Sequence, residues 1–323
     1  MAYLDAEIVM YPAQVANDTA SNGGRIDDTT PIPDAVRANV FPVRESAYLA
    51  AGGVRYRKIF FRAENDTEYP QEIRIWLKAP TAGDDRLKLE TATDTETEGD
   101  KGVRDQYGAC ELNSAVLAGD TSLTVFQEAA SDILYRNGDL IRIDDGTASE
   151  FATITGTPVK AGSLTTITIT AGLANGYASG TNVSSVIEIG DRAPGAQTPG
   201  VTSASGTFDE TEVVVLPSNA IPDTITLTFT SATAFTAAGI AAGDLGAGAI
   251  GSTFEPINPA TGNPYFQIPA AAWGGTWLAG ETVEFQLSVC VWAIWVALVT
   301  PTNTPAANPN VGLIGYYLEG VTI

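Results

Sequence analysis

Strict alternation of apolar and polar positions gives way, near the C-terminus, to continuous apolarity. Val283, Phe285, Leu287 and Val289 alternate with Glu284, Gln286 and Ser288, and from Val289 onward both faces turn apolar through Trp292, Ile294, Trp295, Val296 and Leu298. A period of two marks a strand with one covered face, and an unbroken apolar run marks one covered on both. The β-branched and aromatic side chains favour strand over helix. The pattern predicts that residues 283–300 form a single strand, half covered at its start and enclosed at its end, around which the chain is organised. Its uninterrupted part is shorter than the roughly 18 residues a membrane-spanning helix needs.

The same reading extends along the chain. Residues 6–11 form a short strand, and a stretch rich in Asn, Asp, Gly and Pro follows as loop or as an extended arm on a neighbour. Residues 54–62 place Val54, Tyr56, Lys58 and Phe60 on one face, and residues 71–78 place Ile73, Ile75 and Leu77 inward with Arg74, Trp76 and Lys78 outward. The two are expected to pair as a hairpin. Short strands at 122–126, 138–143, 151–154, 165–170 and 183–189, separated by turn residues, predict a small antiparallel unit of their own. A Pro/Gly/Ser linker at 192–206 returns the chain to the outer domain, where strands at 212–216, 224–230 and 311–318 follow. The expected fold is all-β: an antiparallel β-sandwich of jelly-roll or immunoglobulin-like type with an inserted small β-barrel or sandwich. Residues 1–40 are an N-terminal strand and extended arm, 41–108 plus 193–323 the main sandwich, and 109–192 the insert.

Charge narrows the function. The formal net charge is −21, and no Lys or Arg occurs after Arg192, so a phosphate-binding surface and attraction to an anionic membrane are both disfavoured. Most of the positive charge lies between Arg55 and Arg104. The chain has no histidine, which removes the commonest general base, the histidine-dependent nucleophilic arrangements and histidine metal ligands. Cys110 and Cys290 are too far apart for a zinc or redox motif and read as buried thiols or, alternatively, a disulfide. No basic leader precedes a long apolar segment, so folding in a cytoplasm is expected. The acidic run at 94–100 reads as a solvated loop, and Asp139, Asp144, Asp145 and Glu150 as ordinary turn chemistry, with calcium the sharper alternative for each. The Gly/Ala stretch at 237–251 lacks a P-loop lysine and reads as close packing or a loop.

Several phrases carry a family resemblance. The run YRKIFFR, IRIWLKAP, the segment PSNAIPDTITLTFTSATAF, the phrase NPYFQIPAAAWGGTWLAGETVEF and the closing WVALVTPTNTPA are together similar to virion structural proteins of tailed bacteriophages. The resemblance covers residues 41–80 and 210–323 best and brings no catalytic signature. It implies a non-enzymatic subunit present in many copies on the particle, made in the host cytoplasm, with other virion proteins and copies of itself as partners. A tail-tip or baseplate place is favoured over capsid decoration, because a compact insert projecting from a sandwich suits docking into a ring.

No catalytic, cofactor or metal residue is proposed. Trp292, Trp295, Tyr316 and Tyr317 are the expected aromatic anchors, serving either core or subunit interface. Nucleic acid and membrane insertion are not expected among the partners. A host-surface glycan is a further candidate partner, with Trp76, Trp273 and Trp277 as stacking platforms or as packing. A carboxylate-pair glycosidase is the remaining alternative, with no pair of acids singled out.

Overall fold

The computed structural model describes residues 3–322 except 37, 43–45, 82–83, 128, 130 and 305–311. The chain is all-β and its paired strands are antiparallel. At its centre is a five-stranded sheet in the order Gly23–Ile26, Ile8–Val15, Gly53–Ala63, Val291–Thr300, Arg86–Thr91. Its longest ladder joins Gly53–Ala63 to Val291–Thr300, from Gly53↔Thr300 to Arg62↔Val291.

Both faces of this sheet are covered, which is why its strands read as nearly continuous apolar runs. Ile59, Phe61, Trp292, Ile294 and Val296 pack on Ile73, Ile75, Leu77 and Leu318 of a three-stranded sheet formed by Ile187–Gly190, Glu68–Leu77 and Ile314–Thr322. On the opposite face Phe60, Val291 and Ala293, with Tyr11 and Ala13, join a second core. That core belongs to another five-stranded sheet, ordered Gly195–Thr202, Thr282–Ser288, Asp223–Phe229, Ala234–Gly239, Gly243–Ala249. Each fully enclosed Ile, Leu or Phe contributes about 1.5–3 kcal/mol of burial.

Three expectations are corrected here. Residues 283–300 are two strands in two sheets, Thr282–Ser288 and Val291–Thr300, with the change of sheet at Val289 and Cys290. The alternating half has one solvated face, and the continuous half lies between two layers. The strands at 54–62 and 71–78 are not hydrogen-bonded to each other either: Gly53–Ala63 pairs with Ile8–Val15 and Val291–Thr300, whereas Glu68–Leu77 pairs with Ile187–Gly190 and Ile314–Thr322. Their apolar faces stack across the core instead of sharing a ladder. The last strand runs later than 311–318, over Ile314–Thr322, and Val311 lies outside the described residues.

The N-terminal segment lies on its own chain. Asn22, Ile26 and Ile32 are buried, and Arg25 Nη1 donates to Pro222 O at 3.3 Å, so residues 22–32 are pinned to the chain's own sheets, while residues 33–36 are exposed.

Residues 109–185 build a seven-stranded sheet of their own, ordered Val159–Ala161, Leu164–Thr168, Ser122–Phe126, Ala109–Leu112, Asn182–Ser185, Leu140–Asp144, Ser149–Thr153. An Ile154↔Ile169 bridge curls the sheet around Leu123, Val125, Ile141, Ile143, Ile167 and Val183. The chain enters and leaves at adjacent points, with Gly108 N donating to Ser185 Oγ at 2.9 Å and Ser185 N to Gly108 O at 3.0 Å. Beyond Ser185 it rejoins the body at once. The stretch read as a linker at 192–206 therefore contains a strand, Gly195–Thr202, paired with Thr282–Ser288. The Gly/Ala stretch is a hairpin in which close packing explains Gly248, where a Cβ would stand 2.5 Å from Phe235 Cζ, and positive φ explains Gly243 and Gly246, around which there is open space.

Candidate functional site

The expected anchors separate into two groups. Trp292 and Trp295 are fully buried within the chain. Trp292 stacks on Phe61 at 5.8 Å between centroids with 5° between planes. Tyr316 and Tyr317 are half-buried on the strand Ile314–Thr322. The structure thus places both tryptophans in core packing and leaves the tyrosines near the surface.

Around Trp295 the central sheet carries charges that a β-core ordinarily excludes. Lys58 is buried, and its Nζ donates to Gly24 O at 2.7 Å and Glu96 O at 3.2 Å. Its ammonium lies 4.9 Å from the Phe60 ring centroid. Burial pulls the Lys58 pKa down to about 8, with Glu96 and Asp94 acting against the fall. Burial also pushes Asp94 up, opposed by Arg192, Lys58 and Arg25. Trp295 Nε1 donates to Glu96 Oε1 at 2.8 Å, and Arg104 forms an ion pair with the same carboxylate. Asn22 Nδ2 donates to Glu98 Oε2 at 2.9 Å and to Tyr56 O at 2.8 Å.

The acidic run at 94–100 is therefore bolted to the sheet through Asp94, Glu96 and Glu98, while Gly99 and Asp100 at its end are solvated. Lys58 and Arg104 face Asp94 and Glu96. Gly23 makes the close approach possible: its φ is +106°, and a Cβ there would stand 2.6 Å from the Trp295 ring.

A second knot extends toward the insert. Glu90, also buried, accepts from Lys101 Nζ at 2.7 Å and Gln106 Nε2 at 3.0 Å. Lys88 Nζ donates to Gln106 Oε1 at 2.9 Å and pairs with Asp132 of the insert at 2.7 Å. A buried pair is costly to break because the surviving charge has no water to turn to.

The insert meets the body along a ladder of arginines and rings. Arg142 lies 4.8 Å from the Trp76 ring and 5.0 Å from Phe151, and Arg74 lies 5.1 Å from Phe151 and 5.3 Å from Tyr317. Trp76 meets Phe151 edge-on at 5.6 Å, and Phe151 meets Tyr317 at 6.0 Å. Tyr317 thus anchors this chain's own insert, and its hydroxyl donates to Glu319 Oε1 at 2.5 Å, which raises its pKa. Arg74, Arg142 and Phe151 were not singled out by sequence. The concentration of positive charge between Arg55 and Arg104 was the available signal, but its partners are distant in the chain.

The remaining candidates are structural by geometry. Trp76 is buried and Trp277 fully enclosed, stacked on Phe229 at 4.2 Å, so neither offers a free ring face for a sugar; Trp273 is half-buried among Phe208, Phe229 and Phe235. Cys110 and Cys290 are buried thiols in separate cores, not a disulfide. Asp144 Oδ1 accepts from Gly146 N, and Asp145 Oδ1 from Thr147 N and Ala148 N, bonds that hold Asp145 below its usual range. Glu150 accepts from Ala174 N, Asn175 N and Tyr177 Oη. Among the described residues no group of three or more His, Cys, Asp or Glu is placed to hold a metal, and no helix is long and apolar enough to cross a membrane. Lys78 and Lys160 are the exposed cations among the described residues; the other described Lys and Arg are buried or half-buried.

No protein-family model matches the chain, and no curated protein matches it. Among solved structures it is similar to VP17, a capsid protein of bacteriophage P23-77, at 12% identity over 76% of this chain and 97% of that one, with a TM-score of 0.18. Superposition at that level carries no argument about function, which rests on the chain's own residues.

Proposed function

We propose that the chain is a non-enzymatic structural subunit of a tailed-bacteriophage particle, assembled in several copies at the tail tip or baseplate. The observation that carries this reading is the use of its polar chemistry. Buried Lys58, Arg62, Lys88 and Glu90 are committed to carbonyls, ion pairs and neighbouring side chains that hold layers together. The phrase-level resemblance to virion proteins supports the same conclusion. Open sheet edges such as Gly243–Ala249, paired on one side with Ala234–Gly239, supply backbone groups for joining other subunits. Its partners are other virion proteins and further copies of itself, and an anionic surface keeps unassembled copies apart.

The test is electron cryomicroscopy of intact particles carrying a tagged copy. Density at the distal end of the tail supports the full proposal. Density on every capsomer instead makes the chain a capsid decoration protein, and absence from purified particles overturns the structural reading altogether.

A further inference from the structure

Lys88, on the strand Arg86–Thr91 of the central sheet, reaches Asp132 of the insert, with Nζ 2.7 Å from Oδ1 and the two side chains only 7% and 11% exposed. At that separation Nζ lies about 3–3.5 Å from Asp132 Cγ, the spacing of groups poised to react. Both partners are held from behind. Gln106 Oε1 accepts a second Nζ hydrogen at 2.9 Å, and Gln106 Nε2 is fixed in turn by Glu90 Oε1 at 3.0 Å. On the insert side Gln127 Nε2 donates to the Asp132 main-chain oxygen at 3.3 Å, and Lys160 Nζ donates to the same oxygen. A third group faces the pair. Arg86 Nε is buried without a hydrogen-bond partner among the described residues, and it lies 3.9 Å from Asp132 Oδ2, the oxygen that Lys88 does not hold. An orphaned buried donor is costly, and negative charge developing on Oδ2 would give it an acceptor.

We infer that Lys88 and Asp132 condense to an amide, a self-formed covalent link between body and insert. One proton passes from the ammonium to Oδ1 along their hydrogen bond, leaving an amine and a carboxylic acid, the uncharged forms that burial favours over two enclosed ions. Nζ then attacks Cγ, and the electron pair of the Cγ–Oδ2 double bond moves onto Oδ2, which faces Arg86. Its return breaks the Cγ–Oδ1 bond. Oδ1 leaves as water, carrying the transferred proton and a second from the nitrogen, and the amide keeps the third. No co-reactant is consumed. Lys101 and Glu90 also meet at 2.7 Å, but the other Glu90 oxygen already accepts from Gln106, so that carboxylate has no oxygen left for a developing charge. The link forms once per chain without turnover and stands independently of the assembly reading: a virion subunit can lack it, and a protein of another kind can carry it.

Intact-mass spectrometry of the full chain, followed until the mass is constant, tests the link. The expected mass is the sequence mass less one water, and trypsin should release a branched peptide joining residues 87–101 to residues 105–136, uncut at Lys88. Lys88→Arg, which keeps the positive charge, and Asp132→Ala should each restore the full sequence mass. Arg86→Gln should slow the mass change about tenfold or more, as the loss of a donor at a developing oxyanion does. A wild-type chain that stays at its full sequence mass overturns the proposal. So does a loss of ammonia in place of water, which would put the link on Gln106, or a water lost within residues 87–101 through Lys101 and Glu90. A rate unmoved by Arg86→Gln overturns the part given to that residue.

Discussion

Replacing Glu96 by Ala tests whether the acidic run is a structural cover. The substitution removes the acceptor of Trp295 Nε1 and the partner of Arg104 together. A buried indole N–H left without a partner costs about 1–3 kcal/mol. The ion pair, with side chains 21% and 8% exposed, adds about 2 kcal/mol, less than the full penalty of a wholly enclosed pair. The expected loss is therefore about 3–5 kcal/mol. All five tryptophans lie outside the insert, so tryptophan fluorescence during urea unfolding reports on the body. Glu96→Gln, which keeps an acceptor for Trp295 but no charge for Arg104, should recover part of the loss. Thr95→Ala, at an exposed neighbour, should change little. A loss below about 0.5 kcal/mol for Glu96→Ala, the ordinary surface value, would refute the cover.

Further expectations follow from other parts of the structure. Gly23→Ala should destabilise the body by about 1–3 kcal/mol through positive φ and collision with Trp295, read by the same unfolding assay. A double-mutant cycle of Trp76→Ala and Phe151→Ala should give a coupling of about 0.5–1.5 kcal/mol, and a coupling near zero would mean the aromatic seam does not join insert to body. Cys290 is raised by burial from 9.0 to about 12, so between those values the unfolded thiol ionises first and stability falls with pH, by about 4 kcal/mol in full. Lys58, lowered from 10.5 to about 8, acts in the opposite sense: the unfolded chain binds the extra proton, and stability rises across that interval. Urea midpoints measured from pH 7 to 12 should therefore drop chiefly above about pH 10.5, and Cys290→Ala should soften that drop.

Local pattern revealed strands well and their partners poorly. The alternation in 71–78 identified Ile73, Ile75 and Leu77 as inward, and all three are buried. It could not show that this strand stacks over Gly53–Ala63, because an inward face has the same period whether its neighbour lies beside it or above it. The break at Val289 and Cys290 carries no Gly or Pro, so the change of sheet left no mark beyond the switch from alternating to continuous apolarity. Glu96 looked solvated because two of its partners are distant in the chain, Lys58 by 38 positions and Trp295 by 199, and its near cation Arg104, eight positions on, carries no local pattern that marks the pairing. Trp76 was assigned outward on parity, correctly for its own sheet, but the insert folds over that face and buries it. Within residues 109–185 the short strands were legible from their alternation and turn residues, but not their order, since Ala109–Leu112 pairs with Asn182–Ser185 and Ser122–Phe126 with Leu164–Thr168.

The central claim, that this chain works by assembly, is tested most directly by quantitative mass spectrometry of purified particles combined with tag localisation in electron cryomicrographs. The account predicts a fixed multiple of copies per particle, confined to the distal end of the tail. Particles that contain no copies would contradict it.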